Sequence, residues 1–351
     1  GVVRIYEWNN TDWVQMGSDL EADLGTRKFG NSVSLNHEGN RVIIGAYSSG
    51  TAGNWVPVGL VKVYEWSGSE WNQLGSSITS ATSVVREFGF DVSCDSSGNR
   101  FVTSIEQTGN TDDPTWKASG GQIEVFDWNG ETWNQVGSAI TGDFTYLRLG
   151  HSVAMASNGN RFVAGVNGYD SDPVDARVYE WNGSDWSQVG SGISTDTPKQ
   201  GMEQSVDINN AGDRIIIGDH DATPDIVNQR GTIRVYQLTD NSWVQMGSTI
   251  VGTSRPHHAH SQGIGNDLGQ DVSMNTTGDR IAVTRQGDNS VVIYDWNGTS
   301  WLQAHNLTQE ITITGTGFGS CVDLNGLGNR VAVGVVNGAA LNMGYVVAYQ
   351  L

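Results

Sequence analysis

Apolar and polar positions alternate along this chain over short runs that stop at Gly, Asn or Ser. Leu60–Trp66 is typical, with β-branched and aromatic residues interleaved with Lys62 and Glu65. Such runs predict half-buried strands. Four fall between Phe29 and Leu74: strand A at Ser32–Leu35, strand B at Arg41–Gly45, strand C at Leu60–Trp66 and strand D at Trp71–Leu74. A tight turn holding Gly39 joins A to B, a longer loop joins B to C, and residues 67–70 turn C into D. No stretch carries a 3.6-residue apolar period with caps, so few helices are expected.

The pattern repeats. Copies of Val61–Gly75 stand at Val3–Gly17, Ile123–Gly137, Ala176–Gly190, Ile233–Gly247 and, less closely, Val291–Ala304. Copies of Phe29–Gly45 start at Phe88, Leu149, Met202, Leu268 and Phe318. The turn glycines are Gly39, Gly98, Gly159, Gly212, Gly278 and Gly328, a mean step of about 58 residues, in the range of propellers and arrays. Six units of four antiparallel strands predict an all-β, six-bladed β-propeller as a single domain over residues 1–351. A seven-bladed ring or part of a longer array is the alternative. The chain opens in strands C and D (Val2–Trp8, Trp13–Met16) and closes in another C (Tyr345–Leu351). The N-terminal pair is therefore expected to close the ring, which leaves one strand C surplus. That strand is a fifth strand of the closing blade, a strand given to a neighbour, or the mark of a fragment.

The runs Phe29-Gly-Asn-Ser-Val33, Arg41-Val-Ile-Ile-Gly-Ala46 and Gly59-Leu-Val-Lys-Val-Tyr64 resemble the FG-GAP repeat of integrin-α-type propellers. The resemblance spans essentially the whole chain and implies the propeller fold. It departs in the A–B turns, such as Asn36-His-Glu-Gly39 and Asp95-Ser-Ser-Gly98. These lack the several carboxylates of a calcium loop, so no cofactor is expected there.

Composition narrows the function. The 351 residues carry 19 Lys and Arg against 38 Asp and Glu, a net charge of −19. Such a surface repels phosphate backbones and anionic lipid, so neither nucleic acid nor membrane insertion is expected. Two cysteines in well-separated repeats, Cys94 and Cys321, predict free thiols.

The repeated residues have structural readings. Trp8/Trp13, Trp66/Trp71, Trp128/Trp133, Trp181/Trp186 and Trp296/Trp301 flank four-residue turns and are expected to face each other across hairpins. Stacking platforms for glycans are the alternative. Arg41, Arg100, Arg161 and Arg280 open B strands beside the C-strand ends Glu65, Asp127, Glu180 and Asp295, which predicts four ion pairs. Arg214 and Arg330 meet Gln237 and Gln350 instead.

Variable loops place binding on the B–C and D–A end of the blades. The ligand-face candidates there are Asp112, Asp113, Asp170, Asp172, Asp175, Asp219, His220, Asp221 and Asp225. His257, His258 and His260 form a weak metal candidate without a fourth ligand. Asn9, Asn182, Asn275, Asn297 and Asn306 sit in glycosylation triplets, in keeping with secretion. No nucleophile-elbow, zincin or P-loop motif is present. The reading from sequence is a non-catalytic extracellular module that binds a protein or glycan ligand. The alternatives are a structural subunit of an extracellular filament or virion-type assembly that self-associates through the surplus strand, and a propeller lectin or hydrolase.

Overall fold

The alternation becomes antiparallel sheet throughout. This computed structural model describes all residues except 24–25, 50–58, 81–86, 107–119, 143–147, 168–173, 195–203, 221–230, 254–266, 309–315 and 338–343. The first repeat forms Thr26–Leu35, Arg41–Ser49, Leu60–Trp66 and Trp71–Gln73, hydrogen-bonded in the order A-B-C-D. Sheets of the same order start at Phe88–Cys94, Gln204–Ile208 and Leu268–Met274, and the repeat from Leu149 carries the same succession. The last sheet has three strands: Thr316–Leu324, Arg330–Asn337 and Tyr345–Gln350. The chain is all-β, a six-bladed β-propeller. Among the described residues the one helical element is a 3-10 turn at Gln286–Asp288.

Two compact units divide the chain, one of residues 1–160 and 181–187, the other of residues 161–180 and 188–351. In the first, Phe88, Phe101, Ile105 and Ile123 are fully buried, and Phe101 lies against Phe126 and Trp133. The N-terminal hairpin packs Ile5 and Leu20 on Phe29, Val42, Ile44 and Trp71. In the second, Val291, Ile293, Phe318, Val331 and Val333 form one apolar cluster, and Ile216, Ile233, Leu268 and Val283 lie in another.

The Phe-Gly start of strand A has a steric basis. Phe88 is fully buried, and Gly89 follows at φ +79, where the A–B register shifts. A Cβ at Gly89 would stand 2.6 Å from the Leu60 carbonyl oxygen. Only glycine accepts both that conformation and that approach. The bulge lets strand A extend further than its alternating run predicts: Thr26–Leu35 instead of Ser32–Leu35. A short further strand after D, such as Ile140–Thr141 or Ile250–Val251, also pairs with C.

The four expected ion pairs form, for example Arg100 to Asp127 through two hydrogen bonds of 2.6 and 2.7 Å. Arg330 reaches Gln350 at 3.1 Å. Arg214 is a correction. It lies opposite Gln237 in register, but its guanidinium donates to the carbonyls of Thr277 and Gly278 in the next A–B turn. Its five N–H donors can be met by backbone carbonyls as well as by a side-chain amide. Arg100, Arg161 and Arg280 use the same reach, donating also to the carbonyls of Gly159, Gly212 and Gly328.

The tryptophans pair across their hairpins, with ring centroids 5.3 to 5.5 Å apart. Five strand-D indoles also tie their blade to the previous one. Trp71 donates to the Met16 carbonyl, Trp133 to Leu74, Trp186 to Val136, Trp243 to Val189 and Trp301 to Met246. The glycan-platform alternative loses its basis where the ring is buried, as for Trp71 and Trp186.

Candidate functional site

Strand A forms the edge of each blade, and its side chains clasp the next blade. Ser32 accepts the Val92 N–H, and Asp91 accepts that of Val153. In the second unit Asp207 accepts the Met274 N–H at 2.7 Å, and Asp271 accepts the Val322 N–H at 2.8 Å. Ser273 accepts the Leu324 N–H and donates to Asp323. Burial pushes the Asp207 and Asp271 carboxyls up to about 7, against the pull of those N–H donors, and neighbouring Asp323 adds to the rise in both.

These shifts set a pH dependence. In the unfolded chain both carboxyls titrate near the ordinary value of about 3.9, so between about pH 4 and pH 7 the folded state holds more protons. Stability is therefore highest at the acidic end of that window and falls as pH rises through it. The expected loss across the whole window is on the order of 4 kcal/mol per group. Urea unfolding at pH 5 and pH 8 measures it, and Asp271→Asn is expected to flatten the slope. A wild-type midpoint equal or higher at pH 8 would contradict the assignment.

A different cluster offers chemistry. Glu106 directly follows the second blade's strand B, Arg100–Ile105, and is buried. Arg148 and His151 come from the start of the third repeat's strand A, Leu149–Met155. His151 Nδ1 lies 3.0 Å from Glu106 Oε1, and an Arg148 guanidinium nitrogen donates to the same oxygen at 3.3 Å. Burial alone would raise the Glu106 carboxyl. The hydrogen bond and charge of His151, then those of Arg148, outweigh it and hold the group below its ordinary value. The Phe90 ring stands 5.4 Å from His151, Tyr47 is 5.4 Å from Phe90, and the Lys28 ammonium lies 5.7 Å from the Tyr47 ring. The result is a row of aromatic surface beside an ordered imidazole, all within the first unit and at the B–C and D–A end of these blades.

Sequence analysis places function at that end but names other residues. Asp112, Asp113, Asp170, Asp172, Asp221 and Asp225 lie outside the described residues, as do His257, His258 and His260. Asp175 falls within strand Val174–Trp181. Asp219 ends strand Arg214–Asp219 and is buried, with its backbone paired on both sides, to Gln204 and Thr232. His220, half-buried, is the turn residue after it. Asn9, Asn182, Asn297 and Asn306 are exposed. Asn275 is a further correction. It is buried, its side-chain Oδ1 accepts the N–H groups of Asp279 and Arg280, and its Nδ2 donates to Asp279, so it closes the turn and is not free to carry a glycan. Four of the other five A–B turns use Asn36, Asp95, Asn209 and Asn325 in the same way, and the fifth has Ala156 there. Cys94 and Cys321 are free thiols, and burial pushes Cys94 up to about 12. Among the described residues no group of three or more His, Cys, Asp or Glu is placed to hold a metal ion.

His151 was missed because the position three residues into the A motif varies freely between repeats: Asn31, Phe90, His151, Gln204, Gln270 and Ser320. The one available signal was the pairing of an uncommon residue, one of seven histidines, with Arg148 just outside a repeat start.

No protein-family model matches the chain, and none of the curated proteins does. Solved structures match it widely. A candidate 6-phosphogluconolactonase from Bacteroides fragilis superposes with a TM-score of 0.58 at 11% identity, covering 99% of this chain and 90% of that one. A periplasmic gluconolactonase from Pseudomonas aeruginosa gives 0.58 at 12%, covering 99% and 92%. A hypothetical selenium-binding protein from Sulfolobus tokodaii gives 0.62 at 10%, covering 95% and 79%. At these identities the likeness shows the fold. It also overturns the non-catalytic binding or adhesion module expected from sequence. That reading rested on missing catalytic motifs, and propellers described as lactonases match this chain almost end to end. No helix among the described residues is long and apolar enough to cross a membrane.

Proposed function

We propose that this chain is a hydrolase of cyclic esters of the sugar-lactone class, acting through the Glu106–His151 pair. The observation that carries the reading is the 3.0 Å contact between His151 Nδ1 and the buried Glu106 carboxylate. With the hydrogen on Nδ1 donated to Glu106, Nε2 is left as the basic nitrogen. It takes a proton from water as the water oxygen attacks the lactone carbonyl. Arg148 supplies positive charge for the oxyanion that forms. The imidazolium then returns the proton to the ring oxygen as the C–O bond breaks, which releases the open-chain hydroxy acid. Phe90 and Tyr47 offer apolar faces on which a sugar ring stacks. The likeness to propellers described as lactonases supports the substrate class.

The test is a pH-stat assay of aldono-lactones with the full chain and with Glu106→Gln. Turnover above the spontaneous rate, lost in the variant, supports the reading. Spontaneous rates across a panel of γ- and δ-lactones would overturn it.

A further inference from the structure

The aromatic row beside His151 reaches further than one sugar ring. Phe90 and His151 hold the same place in the strand-A motif of successive repeats, and Lys28 stands near the start of strand A in the repeat before them. The row therefore follows three successive strands A within the first unit. Its steps are 5.4 Å from His151 to Phe90, 5.4 Å from Phe90 to Tyr47, and 5.7 Å from the Tyr47 ring to the Lys28 ammonium. The rings are half-buried and Lys28 is exposed. Cations stand at both ends. Arg148 is engaged with Glu106 at 3.3 Å. Lys28 makes no ion pair with a described carboxylate, whereas Arg4, Lys62 and Arg285 each make one. Its ammonium has the Tyr47 ring and solvent for neighbours, in a chain of net charge −19. In the repeat between them, the position of Lys28 and Arg148 is taken by Glu87, which is half-buried.

We propose that this row selects an acidic two-ring substrate, an aldonolactone that carries a uronic acid as its second ring. The inference rests on the hydrolase reading for the reacting end. There the lactone carbonyl lies at His151 and Arg148, and the lactone ring lies against Phe90. The second ring stacks a C–H face on Tyr47 and gives its carboxylate to Lys28. A charged group carried on the lactone ring itself stops short of Lys28, because Phe90 and Tyr47 stand between Lys28 and His151. A neutral second ring would leave the ammonium without an anion. A uronate bears its carboxylate on the rim of the ring, so stacking and a charge-assisted hydrogen bond are met together. Ligand sites commonly combine aromatic walls with a few fixed polar groups in this way. Glu87, a carboxylate, only accepts. It suits the hydroxyls in the middle of such a substrate and repels a carboxylate placed there, which fixes the acidic ring at the Lys28 end.

The experiment is titration calorimetry of the full chain at low ionic strength with two unreactive probes. One is cellobiitol, and the other is the same alditol with its glucose ring oxidised to glucuronate. The acidic probe is expected to bind roughly tenfold tighter, the effect of one hydrogen bond between charged groups. Added salt should shrink that gap. Lys28→Gln should close it, and Tyr47→Ala should weaken both probes. His151→Ala should keep the gap, because it alters only the reacting end. Equal binding of the two probes, a gap that survives Lys28→Gln, unchanged binding in Tyr47→Ala, or no binding of either probe overturns the inference. The two readings fail separately. An intact gap without turnover of any lactone removes the hydrolase and leaves recognition of the acidic two-ring ligand, whereas turnover without the gap removes the acidic second ring alone.

Discussion

His151→Ala is expected to lower the rate of lactone hydrolysis by about 10²–10⁴-fold, the range over which a positioned acid–base group contributes. The imidazole is the one group in this cluster with a nitrogen placed both to take a proton from water and to return it. Glu106 is held ionised by His151 and Arg148 and accepts from both. Its role is to fix the tautomer and the ring plane. Glu106→Gln keeps the size but can turn its amide N–H₂ toward Nδ1, which favours the wrong tautomer. It is expected to cut the rate strongly while leaving substrate affinity near wild type, as expected for a group that positions the base. His151 lies on the A strand, between Phe90 and the Glu106 carboxylate, and is half-buried. Its loss should leave the unfolding midpoint within a few degrees, so loss of rate with retained fold is the readout. A variant that keeps wild-type turnover would exclude His151 as the base.

Phe101→Ala should have the largest effect on stability. Phe101 is fully buried and nearly parallel to Phe126, at 5.4 Å and 18°, while Trp133 meets it edge-on at 5.1 Å. Ile43, Val63, Phe88, Val92 and Ile105 lie in the same cluster. Removing the ring forfeits its transfer free energy and leaves a cavity that the sheets on either side cannot close. The expected cost is about 3–5 kcal/mol. That is a large share of the roughly 5–15 kcal/mol by which domains are stable. Urea unfolding followed by tryptophan fluorescence should show the loss, with Trp133 as a local reporter. Phe101→Leu should recover much of it. A cost below about 1 kcal/mol would mean that the cluster repacks freely, contrary to the close packing of such interiors.

Both predictions depend on contacts of different legibility. Within one repeat the chain could be read closely. Strand C was placed at Leu60–Trp66 and is found there, because alternation, the Gly before it and the turn after it all agree. The Trp pairs and Arg–carboxylate pairs follow from antiparallel register, which sets the two ends of a tight turn opposite each other and the start of B beside the end of C whatever the loop length between them. The bulge was not legible in the same way. Gly89 and its counterparts recur in sequence, but only the approach of the Leu60 carbonyl shows why glycine is needed.

Contacts between repeats are where sequence reading stopped. The carboxyls of Asp207 and Asp271 look like ordinary strand residues until the next blade's N–H groups arrive at 2.7 and 2.8 Å. Glu106 and His151 are 45 positions apart and belong to different repeats. Neither sits at a position that the repeat holds constant, so periodicity carries no information about them. The acidic loop residues favoured from sequence were chosen for charge, and charge alone does not say which side chains converge.

The order of the strands, their alternation and their turns were written in the chain itself. Local propensity, glycine conformations and register act over a few residues and repeat with the period. Which side chains meet across blades was decided only by tertiary packing. A strand edge presents its N–H groups to whatever lies beside it, and what lies beside it is tens of residues away in the chain.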